Sequence, residues 1–104
     1  MANYLLVYHG GSQPEDEAAG KAVMDSWTAW FGRLGEAVVD GGNPTTQTKV
    51  IAADGSVTDG GPTSPTGYSV LRADSLDAAV ALAKGCPHLA AGGTIEVAET
   101  VDVM

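Results

Sequence analysis

A chain of 104 residues has room for one domain, and its formal net charge of −8 rules against two classes of partner. Nucleic-acid phosphates and anionic membrane surfaces are both held through Lys and Arg, and here five such residues stand against thirteen Asp and Glu. Cys86 is the only cysteine, so no intramolecular disulfide forms, and no run approaches the roughly 20 apolar residues of a membrane helix. The first residues lead straight into a strand pattern without a basic leader, so the expectation is a cytoplasmic protein.

Asn3 to His9 reads as the first strand, with Tyr4, Leu6 and Tyr8 on one face and Leu5, Val7 and His9 on the other. Both sets are largely apolar, as in a central strand covered on both sides. After Gly10 and Gly11, Ser12 and Glu15 have capping-box spacing, and Pro14 falls in the first turn of the helix they would start. Val23, Trp27, Trp30 and Leu34, flanked by Met24 and Phe31, form its apolar stripe, and Gly35 is the expected stop. Glu36 to Asp40 is a short second strand, ended by Gly41, Gly42, Asn43 and Pro44. Gln47 to Ile51 and Val57 to Thr58 flank Asp54 and Gly55, a hairpin signal. Asp59 to Pro65 is a Gly/Pro loop. None of the Gly-rich segments has the context of a nucleotide-binding loop.

The clearest stretch runs from Thr66 to Glu99. Tyr68, Val70 and Arg72 alternate with Ser69, Leu71 and Ala73 as in a strand. Asp74 or Ser75 caps the next helix, whose apolar face is Leu76, Ala79, Val80 and Ala83. Lys84 in the last turn, Gly85 in a left-handed conformation and Pro87 beyond it end that helix. Thr94 to Val97 resumes the strand pattern. The resulting order is strand, helix, strand, inserted hairpin, strand, helix, strand, which is an α+β, ferredoxin-like βαββαβ plan.

The segment GYSVLRADSLDAAVALAKGCPHL followed by GGTIEV resembles the C-terminal half of YCII-related proteins, also called the DGPF family. TDGGP at Thr58–Pro62 is similar to the DGPF signature, with Gly61 and Pro62 in place of Pro and Phe, and YLLVYHG and LGEAVVDGGNP fit the same family. The resemblance spans nearly the whole chain and implies a homodimer, two sheets packed face to face as a dimeric α+β barrel. It also implies a His early in the first helix and an Asp beside the Pro after the second helix as a suggested active site. Here Met24 and Cys86 stand at those positions, so the resemblance implies a site lost or moved.

The βαββαβ plan brings the end of the first strand, the start of the strand at Thr66 and the loop after the second helix to one end of the sheet. His9 and His88 therefore meet there, the candidate acid–base pair because imidazole titrates near neutrality. The expected pocket adds Asn43, Asp59 and Tyr68, with Met24 and Trp27 as an apolar wall, and takes a small amphipathic or aromatic ligand whose polar head lies near His9. No metal and no cofactor are expected, since two histidines would need Asp59 or another loop carboxylate to complete a site. Cys86 lies just past a helix C-terminus, where the dipole disfavours thiolate. Three readings follow: a YCII-related homodimer with a small-molecule pocket; a cofactor-free oxygenase or isomerase acting on flat aromatic or lactone-like substrates; and a non-catalytic accessory domain linked to transcription regulation.

Overall fold

The structure, a computed structural model, describes residues 1–103. It is an α+β fold. Strand β1 (Ala2–His9) is followed by helix α1 (Glu17–Leu34), a 3₁₀ turn at Gly35–Ala37 and β2 (Val38–Asp40). A hairpin of β3 (Lys49–Ile51) and β4 (Val57–Asp59) precedes β5 (Pro65–Ala73), α2 (Leu76–Ala83), the single turn α3 (Pro87–Ala90) and β6 (Thr94–Glu99). Four strands form an antiparallel sheet in the order β2-β5-β1-β6, while β3 and β4 pair only with each other.

Register decides which residues form the core. Leu6 stands opposite Ser69 and Val97, and Tyr4 opposite Leu71, so this set faces one way. Both longer helices cover that face, burying Tyr4, Leu6, Tyr8, Leu71 and Ala73 with Trp30 of α1 and Ala79 and Ala83 of α2. Burying each large apolar side chain contributes about 1.5–3 kcal/mol. Trp30, 1% exposed, anchors the layer and donates its indole N–H to the Leu82 carbonyl at 3.2 Å. Leu5 stands opposite Val70 and Ala98, and Val7 opposite Tyr68 and Glu96; this face carries no helix, and Leu5, Val7, Tyr68 and Val70 are half-buried while Glu96 and Ala98 are exposed.

Several local expectations are revised. Helix α1 does not start in a capping box at Ser12. The Ser12 N–H is bonded to the Ala91 carbonyl at 2.9 Å, which holds that segment against the turn after α3. Asp16 caps instead, its carboxylate accepting from the Ala19 N–H at 2.8 Å. Of the two candidate caps of α2, Ser75 is the one used, accepting from Ala78 N–H at 3.1 Å. Gly85 does not adopt a left-handed conformation; the chain turns through bonds from the N–H groups of Gly85 and Cys86 to Leu82 and Ala83, and Gly85 packs beside the Trp30 indole. Pro87 stops α2 but also opens α3, because a first-turn residue needs no N–H. The N-terminal half of α1 overhangs the sheet, so Met24 of the apolar stripe is 65% exposed.

Candidate functional site

Where α1 overhangs, a cleft of about 290 Å³ opens between it, the C-terminal end of β1 and the connection that follows β2. Tyr8, Met24, Trp27 and Phe31 line one part, and Gly41, Gly42, Asn43, Pro44, Thr66, Gly67, Tyr68 and His88 the rest. Trp27 meets Tyr8 edge-to-face at 5.3 Å and Trp30 likewise at 5.7 Å, so the indole wall is braced from two sides.

The floor depends on a close approach of backbone. Gly42, at φ +76°, lies so near the Tyr68 carbonyl that a Cβ would overlap it. Next to it Asn43 accepts from the Tyr68 N–H at 3.3 Å, and Thr45 binds β5 through its N–H to Thr66 O at 3.1 Å and its hydroxyl to Pro65 O at 2.6 Å. Beneath the cleft runs a buried polar chain: the Tyr8 hydroxyl donates to Ser69 Oγ at 2.7 Å, and Ser69 donates to the Gly41 carbonyl at 2.7 Å. Burial pushes the Tyr8 phenol well above its ordinary value of 10.0.

His88 sits at the end of the cleft, its ring 5.2 Å from that of Tyr8. Its Nε2 lies 2.9 Å from the His9 carbonyl. A carbonyl only accepts, so Nε2 carries the proton and a neutral His88 has its lone pair on Nδ1. The ring fits between Gly11 and Gly93, where a Cβ at either position would collide with it.

Met24, Trp27, Asn43, Tyr68 and His88 of the expected site are thus gathered around one cleft, and His9 and Asp59 lie outside it. His9 and His88 do meet at one end of the sheet, but through the His9 main chain. The His9 ring points to the helix-free side, where Nε2 is 2.5 Å from Glu96 Oε1 and Nδ1 is 3.4 Å from the Ser64 carbonyl. Asp59 is on the hairpin, paired with Lys49. Strict alternation along β1 carries the signal for this: it puts Tyr8, not His9, on the helix side. The glycines flanking His88 are recognisable in sequence as turns, but their role in seating a ring is a tertiary feature.

Cys86 is 3% exposed, and burial raises its thiol pKa although the His88 N–H and the Tyr8 hydroxyl pull the other way. The cysteine follows the C-terminus of α2, as expected, but is also the N-cap residue of α3. Desolvation by burial is the main cause that raises its thiol pKa. Among the described residues no group of three or more His, Cys, Asp or Glu is placed to hold a metal ion, and no helix is long and apolar enough to cross a membrane. Comparison with family models, curated proteins and solved structures finds no match to this chain.

Proposed function

We propose that the chain is a cytoplasmic, homodimeric small-molecule-binding protein on the ferredoxin-like, YCII-related plan. The observation that carries the reading is the cleft itself: an aromatic and methionine wall with one imidazole at its end. Its volume, about 290 Å³, is at the lower edge of ligand pockets and suits a single ring. No carboxylate lines it, and the acidity of the chain as a whole disfavours a strongly anionic guest. The best-fitting ligand is a compact phenol or enol that stacks on Trp27 and donates its hydroxyl to His88 Nδ1. The order β2-β5-β1-β6, with α1 after β1 and α2 after β5, supports the split βαβ plan. The half-buried, helix-free sheet face with Leu5, Val7, Tyr68 and Val70 supports pairing with a second sheet about 10 Å away.

One observation favours an enzymatic extension of the same site. The His9 carbonyl fixes the proton on His88 Nε2 and leaves Nδ1 as the basic atom of the ring, which proton abstraction from a phenol or enol would use in a cofactor-free oxygenase or isomerase. The expected pocket is then re-centred from His9 to His88.

Tryptophan fluorescence titrated with single-ring phenols, cyclic enols and neutral lactones tests the binding reading. Saturable quenching by the hydroxyl-bearing rings is expected, lost in Trp27→Phe. Gly93→Ala, which pushes the His88 ring from its seat, should weaken binding about tenfold, the value of one hydrogen bond, with the fold intact. Failure of every compound to change either fluorescence or melting temperature would refute it.

A further inference from the structure

The hairpin is the least explained part of the molecule. β3 and β4 pair with each other and with no strand of the main sheet. Their register places Ile51 opposite Val57 on one side, and these side chains are 72% and 59% exposed. The same side carries the Lys49–Asp59 pair at the root, so its apolar part is the Ile51–Val57 pair next to the turn; an isolated two-stranded hairpin is marginal in water, and that pair needs a partner surface. The dimensions of the molecule, 44 × 40 × 18 Å, and its radius of gyration of 15.1 Å describe a thin plate with a projection. A compact chain of this length has a radius near 13 Å.

We propose that the hairpin is an intersubunit arm, whose Ile51–Val57 side packs against a second copy of this chain beside the contact between the two sheets. The inference rests on the homodimer proposed above and specifies what completes it. Area argues for the second copy as occupant. The helix-free face of two long strands, one medium and one short has a footprint of roughly 400 Å², from strand spacing and rise. A standard interface buries about 800 Å² of accessible surface per partner, so a face of this footprint is small for a stable dimer by itself. The arm supplies further apolar area, and its root is on the correct side: the Ser64 carbonyl, just before β5, lies against the His9 ring on the helix-free side.

Charge argues the same way. Two chains of net charge −8 repel unless the contact is locally balanced. On the arm Lys49 pairs with Asp59, and near the sheet face His9 meets Glu96 while Arg72 supplies a further positive charge. The acidic run Glu15, Asp16 and Glu17 lies at the start of α1, in the helix layer.

The arm is also continuous with the cleft. Its incoming strand leaves from Gly41–Pro44, its outgoing strand enters Thr66–Tyr68, and both segments line the cleft. The Gly60 N–H to Thr48 carbonyl bond at 2.9 Å closes its root. Docking of the arm on a second copy therefore braces the cleft wall.

The test is sedimentation velocity of wild type and of Ile51→Asp/Val57→Asp, with far-UV circular dichroism to check the fold. The arm variant is expected to weaken the dimer at least thirtyfold while the spectrum stays unchanged. Should the charged variant unfold, Ile51→Ala/Val57→Ala is expected to weaken the dimer several-fold and to remain folded. If both arm variants dimerise like wild type while Val7→Lys/Val70→Lys is monomeric, the arm is overturned and sheet pairing stands. If wild type is itself monomeric, the homodimer and the arm fall together.

Discussion

The two faces of the same four strands have opposite fates. On one, Tyr4, Leu6, Ser69 and Leu71 are almost wholly excluded from water by α1 and α2. On the other, Leu5, Val7, Tyr68 and Val70 alternate with them residue by residue yet stay half-buried. Composition along β1 hardly distinguishes the faces, since both sets are mainly apolar. The difference is in what the chain supplies to cover them: one helix of five turns and one of about two for one face, and no helix for the other. An apolar face without an intramolecular cover stores its hydrophobic free energy for a second molecule.

The largest expected effect separates the faces by how it depends on protein concentration. Trp30→Ala removes the anchor of the helix side and is expected to cost about 3–5 kcal/mol in urea denaturation at any protein concentration. Val7→Ala, on the open side, is expected to cost less than that, with a deficit that grows as protein concentration rises if the proposed homodimer covers that face. Equal, concentration-independent losses at the two sites would erase the distinction.

A smaller effect probes the polar layer beneath the cleft. Ser69→Ala takes away the Tyr8 hydroxyl's acceptor at 2.7 Å, with the Cys86 thiol as its other neighbour, and is expected to cost about 1–3 kcal/mol. Adding Tyr8→Phe removes the stranded donor, so the double variant should be more stable than Ser69→Ala alone. A double variant weaker than the single would show that the Cys86 thiol takes over as the partner of the Tyr8 hydroxyl.

The smallest effect is alkaline. Burial raises both Tyr8, ordinarily at 10.0, and Cys86, ordinarily at 9.0. The unfolded chain releases these protons first and so binds fewer of them than the folded chain, which makes stability fall as pH rises above about 9. Below that both states hold the protons and the two groups add no pH dependence. Comparing unfolding at pH 8 and above pH 10 should show the decline, and Tyr8→Phe/Cys86→Ala should flatten it. An unchanged slope in that variant would assign the decline to other groups.

Much of the fold was legible because local and periodic signals agree. The stripe through Trp27 and Trp30, the Asp54–Gly55 turn and the run from Thr66 to Glu99 each carry their own start, period and stop. Caps were less legible where tertiary bonds compete: Ser12 looks like a cap, but its N–H is bonded to Ala91. α3 was hidden because four residues hold no periodicity, and Pro87 served as a stop signal while also opening a turn. In the site, Met24, Trp27, Asn43 and His88 followed from helix period and chain order, and Tyr68 borders the cleft although alternation turns its side chain to the helix-free face. His9 did not, because proximity at one end of a sheet says nothing about which face a side chain takes. Asp59 was lost with the hairpin, whose separation from the main sheet depends on contacts absent from any local pattern.

The proposed pairing of the open sheet face with a second chain is tested most directly by the molar mass of the wild-type protein in solution. Light scattering on a micromolar sample should give twice the chain mass of 10.5 kDa, falling toward the monomer only on dilution or in Val7→Lys/Val70→Lys. A mass of 10.5 kDa that does not change between micromolar and millimolar protein would contradict the account.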